Sequence, residues 1–196
     1  MNEPLPAAAL ARFNDAWARA RASGLAEPDA MTLSTVDARG WPRARVVLLK
    51  AADARGFVFY SNTHSRKGED LAQCPRTALT FFWPTLLEQV MVEGSVEPVS
   101  AGEADAYWVS RPRLSQIASS VSRQSQPLDS REVFAARMAS AEAALAGGPV
   151  PRPAHWSGYR VLPERIEFWR GAAGRMNERD CYELGSEGWT LRMLQP

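Results

Sequence analysis

The chain has 196 residues, 45% of them hydrophobic and 23% charged, with a formal net charge of +1. That is enough apolar material for one real core, and too little net charge to attract nucleic acid or an anionic membrane through bulk electrostatics. Cys74, Cys181, His64 and His155 fall in no metal-ligand or redox spacing, so no metal is expected and the thiols are expected to be reduced. No apolar run approaches the roughly 18 residues of a membrane span, and the N-terminus lacks the plan of a secretory signal. A cytoplasmic chain forming one domain over 1–196 is expected.

Residues 6–23 carry Leu10, Phe13, Trp17 and Ala20 at helical spacing and end at Gly24, which predicts an amphipathic helix. From Met31 the period becomes that of a strand. Met31–Val36, Arg43–Lys50 and Phe57–Ser61 are joined by the turns Asp37-Ala38-Arg39-Gly40 and Asp53-Ala54-Arg55-Gly56. Short glycine-ended loops of this kind make antiparallel neighbours. A short helix is predicted from about Ser65 to Gln73, followed by strands Arg76–Trp83 and Gln89–Val99. Ser100-Ala101-Gly102-Glu103 is a capping box that opens a helix through Tyr107 and Trp108, ending near Ser110-Arg111-Pro112-Arg113.

The run Ser119 to Gln126 has no clean period and reads as an ordered loop or a short helix. Asp129 with Glu132 opens a further helix with Phe134, Met138, Ala141 and Leu145 on one face, stopped by Gly147-Gly148-Pro149. The C-terminal segment, about 157–196, reads as strands Tyr159–Trp169, Arg179–Leu184 and Trp189–Leu194, with a loop from Gly171 to Asn177. Seven or eight antiparallel strands with interposed helices predict a mainly β barrel with helical additions.

Candidate site residues are mostly cations at element ends. In Arg45-Val46-Val47-Leu48-Leu49-Lys50, four apolar residues predict a strand buried on both faces, and its terminal charges need an anion if they are buried too. Arg45 and Lys50 read equally well as the surface ends of such a strand. Their parity differs, so an unbulged strand aims them at opposite faces. Arg66-Lys67 opposes the macrodipole at a helix start unless an anion sits there, which favours phosphate binding over two solvated side chains. Arg111 at a helix end is by itself a capping feature. Gln89 and Gln124-Ser125 are able to hydrogen-bond the edge of a heterocycle, Trp169 reads first as core, and Arg175 and Arg179 read as solvated. No Ser–His–Asp set, paired carboxylates or Walker loop is present, so a cofactor is expected to carry any catalysis.

Arg45 through Lys50, Tyr60-Ser61, Ser65-Arg66-Lys67, Glu88-Gln89-Val90, Ser110 through Gln116, Gln124-Ser125 and Glu167-Phe168-Trp169 through Arg175 to Arg179 occur in order. Together they resemble the pyridoxamine 5′-phosphate oxidase family over nearly the whole chain from about residue 8. The resemblance implies an FMN-binding split β-barrel, homodimeric, with the flavin in a cleft between subunits. It implies flavin contacts at Arg45, Val46, Val47, Leu48, Leu49, Lys50, Tyr60, Ser61, Arg66, Lys67, Gln89, Gln124, Ser125, Trp169 and Arg179. It also implies that Lys50, Tyr107, Arg111 and Ser115 hold the phosphate of a small phosphorylated pyridine, with Arg175 and Asn177 as the catalytic pair over the ring. The implied chemistry is hydride transfer from substrate C4′ to flavin N5 and reoxidation by dioxygen to hydrogen peroxide.

Two departures from the family pattern stand out. Asn177 occupies a position where the family usually has histidine, and asparagine takes up no proton near neutral pH. The chain also starts close to its first helix, so a shorter N-terminal cover and a looser site are expected. Ser120 through Ser125 and the ending Leu194-Gln195-Pro196 resemble instead the phenazine-biosynthesis flavin oxidases, a sister group acting on reduced tricyclic acids. A flavin or pyridoxal-phosphate carrier with little turnover is the third reading.

Overall fold

The computed structural model describes residues 3–196. Among them are nine strands and five α-helices, in the order α1 (Ala7–Ala22), β1 (Ala30–Val36), β2 (Pro42–Leu48), β3 (Ala51–Asp53), β4 (Gly56–Asn62), α2 (Arg66–Gln73), β5 (Arg76–Trp83), β6 (Glu88–Pro98), α3 (Ala101–Ser110), α4 (Arg113–Val121), α5 (Arg131–Leu145), β7 (Trp156–Arg170), β8 (Glu178–Gly185) and β9 (Gly188–Met193). A 3-10 turn at Ala173–Arg175 precedes β8.

All pairings are antiparallel, in the order β2-β1-β5-β6-β7-β4-β3, with β8 and β9 added beside β7. β7 is long enough to serve two partners on one edge: Trp156–Val161 pairs with β4 and Arg165–Arg170 with β8. The sheet path begins and ends on neighbouring residues. Leu49 N donates to Asp29 O at 2.9 Å, on the β1 side, and Lys50 N donates to Val58 O at 2.8 Å, on the β4 side. The chain changes partner between these two residues, and that handover curls the sheet into a barrel. It also accounts for the ninth strand, because β3 continues a segment expected to run unbroken to Lys50.

The expectation that Arg45–Lys50 is buried on both faces is overturned. β2 alternates, with Val46 67% and Leu48 37% exposed while Val47 packs on the core and Leu49 is fully buried. β2 pairs with β1 alone, so only its inner face meets the core. The local burst of hydrophobicity hid this alternation.

The core lies inside the curl. Phe13 of α1 packs edge-on against Phe57 at 4.8 Å and Phe81 at 5.1 Å, beside Trp83, with Ala9, Ala16 and Ala20 buried along the same helix face. Phe13→Ala is expected to destabilise the fold by about 3–5 kcal/mol, read as a lowered urea midpoint with an unchanged slope.

Two helical expectations need correction. α4 (Arg113–Val121) lies mostly before the run Ser119 to Gln126, at positions for which no helix was expected, because it buries just Gln116 and Ile117 and its serines mask the period; residues 122–126 are a loop. The N-cap of α5 is Ser130, whose hydroxyl accepts from Val133 N at 3.3 Å, one residue later than Asp129. The capping box at Ser100 and Glu103 forms as its pattern predicts.

Candidate active site

A cleft of about 470 Å³ opens between the outer side of β2, the end of β4 and the α3–α4 turn. Val46, Val47, Leu48, Lys50, Tyr60, Ser61, Lys67, Tyr107, Arg111, Ser115 and Gln124 line it, together with Trp156. A second hollow of about 350 Å³ adjoins it, sharing Tyr60, Ser61, Arg111, Ser115, Gln124 and Trp156. Val46, Leu48 and Lys50 share parity and face the cleft.

One end of the cleft is the start of α2. Lys67 Nζ donates to Gln124 Oε1 at 2.9 Å and to Ser65 Oγ at 3.1 Å, and Arg66 N donates to Ser125 Oγ at 3.2 Å. Burial, aided by the nearby Arg45 charge, pushes the Lys67 ammonium down to about 8. Arg45 points to the other side of β2. Its guanidinium donates to Thr35 Oγ1 at 2.6 Å and lies 3.5 Å from Asp70, a buried carboxylate that also binds Arg43 at 2.8 Å. Burial lowers the Arg45 pKa. Leu49 is in the core, and the structure leaves it no side-chain route to the cleft.

The other end is built on α3 and α4. Tyr60 and Tyr107 stack at 4.0 Å and 16°, and Tyr60 stacks nearly parallel to Trp156 at 5.3 Å, forming an aromatic ledge. Tyr60 stands opposite Gly158, where a Cβ would lie 2.7 Å from the Tyr60 ring, so glycine makes room for the ledge. The Arg111 guanidinium lies over Trp156 at 4.8 Å and donates to Ser119 Oγ at 3.0 Å. Burial lowers its pKa too. Among the described residues, Lys50, Lys67 and Arg111 form no ion pair with a carboxylate, whereas Arg43 and Arg45 do. Cations held partly out of water with no counter-ion are matched to an incoming anion. Among the described residues, no carboxylate or imidazole lines the cleft, and Lys67 is the lining group brought closest to neutral pH.

The remaining predicted residues lie elsewhere on the chain. Gln89, Trp169 and Arg179 sit directly opposite one another across β6, β7 and β8. Gln89 and Trp169 border a separate hollow with Arg12, Arg19 and Glu88. Arg179 Nε donates to the buried Glu167 at 2.7 Å, and that carboxylate also binds Arg165 at 2.6 Å. Arg175 is exposed with φ of +60°, and Asn177 Oδ1 accepts from Ala172 N at 3.1 Å, bracing its own loop. A single chain brings none of these five to the cleft.

The family model described as Pyridoxamine 5′-phosphate oxidase matches residues 18–144. The chain belongs to the pyridoxamine 5′-phosphate oxidase family. A second model, the Pyridoxine 5′-phosphate oxidase C-terminal dimerisation region, matches residues 156–196. Among curated relatives, the pyridoxine/pyridoxamine 5′-phosphate oxidase of Alkalilimnicola ehrlichii is 54% identical, with 96% of this chain and 97% of that protein aligned. The one of Anaeromyxobacter dehalogenans is 51% identical over 98% of this chain and all of its own length (100%). Among solved structures, PhzG from Burkholderia lata 383 in complex with tetrahydrophenazine-1-carboxylic acid superposes with a TM-score of 0.91. It is 31% identical, and 95% of this chain and 92% of that one are covered.

Within this oxidase-family framework, residues missed from sequence now have roles. Trp156 extends the aromatic ledge, Ser119 holds Arg111, Ser65 holds Lys67, and Asp70 anchors Arg43 and Arg45. Only Ser65, beside the Arg66-Lys67 pair, carried a local signal. The others act through contacts between residues distant in the chain.

Proposed function

We propose that the protein oxidises pyridoxine 5′-phosphate and pyridoxamine 5′-phosphate to pyridoxal 5′-phosphate, with FMN as cofactor and dioxygen as acceptor, releasing hydrogen peroxide. The observation that carries this reading is one cleft with unpaired cations at both ends and an aromatic ledge between them. FMN and the substrate each bring a phosphate of roughly two negative charges, which is what those two ends lack. When bound, FMN supplies the hydride acceptor and the route to dioxygen. Lys67, Ser61, Gln124, Ser125 and the start of α2 hold the FMN phosphate end, with Arg45 close behind. Lys50, Tyr107, Arg111 and Ser115 hold the substrate phosphate and orient the ring for transfer.

The working unit is a homodimer in which a second copy supplies Gln89, Trp169, Arg179, Arg175 and Asn177 to the cleft. Three features support this: the cleft lacks these residues, the matched C-terminal region is a dimerisation region, and the outer sheet face leaves Val46, Leu48 and Phe82 exposed. A cytoplasmic setting fits the two free cysteines, and no helix among the described residues is long and apolar enough to cross a membrane. Oxidation of a reduced phenazine acid is the second reading, favoured by the likeness to PhzG. The unpaired Lys50 and Arg111 weigh against it, since together with Tyr107 and Ser115 they match the double charge of a phosphate better than the single charge of a carboxylate.

The test is peroxide formation by the purified yellow protein with pyridoxine 5′-phosphate beside a dihydrophenazine acid. Anaerobic bleaching of the flavin by the pyridine alone is expected; bleaching by the phenazine alone overturns the reading. Asn177→His is expected to lower KM for pyridoxine 5′-phosphate about fivefold, one neutral hydrogen bond's worth, and to add an ionisation near pH 6.5 to the rate profile. An unchanged KM and profile would mean that position 177 does not touch the ring.

A further inference from the structure

Arg160 joins the two segments that face each other across the substrate end of the cleft. It lies on β7 opposite Val58 of β4 and is 3% exposed. Its guanidinium is shared between two carboxylates, Nη1 donating to Asp53 Oδ1 at 2.9 Å and Nη2 to Glu103 Oε1 at 2.9 Å. Asp53 ends β3, the strand that Lys50 leads into. Glu103 lies in the first turn of α3, Tyr107 follows it one turn along the same face, and Arg111 is the residue that caps the helix C-terminus. We propose that Arg160 is a positioning residue that sets the spacing between the Lys50 strand and the Tyr107–Arg111 helix, and so the fit of the substrate phosphate. This deepens the proposed function and rests on it.

Besides Glu103, the first half of α3 is tied by Asp105, which accepts from Arg152, but that carboxylate is 61% exposed and so is screened by water. The apolar attachment of this half is Ala104 against Val58 and Val99, whereas the second half is tied by the buried Trp108, whose Nε1 donates to Val150 O at 2.8 Å. Glu103 divides its two oxygens: Oε2 accepts from Ser100 in the capping box, and Oε1 is left for Arg160. The Ser100 hydrogen bonds, with Arg160 adding to them, hold the Glu103 carboxyl at about 2, so it stays charged at any working pH. The Tyr60 hydroxyl donates to Glu103 O at 3.4 Å, which brings the aromatic ledge into the same brace. Arg55 reaches the same two carboxylates at 3.2 Å each but is 62% exposed, so water screens it and it provides a control.

The experiment compares Arg160→Met, Glu103→Gln and Arg55→Ala in the FMN-loaded protein. It measures KM and kcat with pyridoxine 5′-phosphate, calorimetric Kd for pyridoxal 5′-phosphate, FMN affinity and Tm. Arg160→Met is expected to raise both KM and the product Kd about tenfold while kcat and FMN affinity stay within about twofold, the pattern of lost uniform binding. Arg55→Ala is expected to leave all of them unchanged. Glu103→Gln retains the capping geometry and is expected to shift KM the same way by a smaller factor, which keeps the test open if Arg160→Met does not fold. A lowered Tm with unchanged KM and Kd overturns the positioning role. A wild-type protein that neither oxidises pyridoxine 5′-phosphate nor binds the product overturns the proposed function and this role together; an active wild type with unaffected variants overturns this role alone.

Discussion

Arg111→Met is expected to raise KM for pyridoxine 5′-phosphate about a hundredfold, roughly 3 kcal/mol, with kcat changed only a few-fold. The guanidinium lies over the faces of Trp156 and Trp108, burial already lowers its pKa, and its hydrogen-bond partner is the neutral Ser119 hydroxyl. The substrate phosphate is therefore its first full counter-ion. Removing it leaves the dianion short of a charge-assisted, geometrically fixed donor in a partly desolvated cleft. Because ground state and transition state carry the same phosphate, the loss falls on binding. Steady-state peroxide assays check this, and FMN affinity measured alongside is expected to be unchanged. A KM shift below threefold would remove Arg111 from the phosphate site.

The second large effect is at Lys67. Lys67→Met is expected to weaken FMN about a hundredfold in flavin fluorescence titrations, while binding of unphosphorylated riboflavin changes little. Its pH dependence has a definite sign. In the free protein the ammonium titrates at about 8, below the ordinary lysine value of 10.5, because burial and Arg45 penalise its charge. The unfolded chain therefore binds more protons than the fold between those two values, so stability of the FMN-free protein rises with pH through that window; below it the penalty is present in full. Phosphate binding restores the proton. FMN affinity is accordingly expected to be flat between about pH 7, above which the phosphate is a dianion, and pH 8, and to fall above that, by up to about tenfold per unit, with proton uptake measurable by calorimetry in buffers of different ionisation enthalpy. The methionine variant is expected to lose that slope, and a wild-type affinity that stays constant from pH 7 to about 10 would contradict it.

Much of the molecule is written in short-range pattern. Alternation in Met31–Val36 became a strand buried on one side, the glycine-ended turns became hairpins, and Ser100 with Glu103 closed its capping box. Where local pattern misled, a longer-range fact had won. The apolar run at Val46–Leu49 read as fully buried, yet β2 has a single strand neighbour and turns Val46 and Leu48 outward to the cleft. α4 was invisible because it owes its place to Trp108, Val150 and Trp156 rather than to its own apolar stripe.

Residue order alone determined most of the elements, though not α4 or the break before β3, together with the family and the chemical kinds needed to grip two phosphorylated rings, since these follow from sterics and hydrogen bonding among residues a few positions apart. Only the folded chain decided which cations share a cleft, that Gln89, Trp169 and Arg179 form a row away from it, and that Arg160 spans 107 positions to reach Asp53. Those outcomes depend on which strand edges pair and on the change of partner between Leu49 and Lys50, where the barrel closes. Closure is a property of the whole sheet, and no window of neighbouring residues contains it.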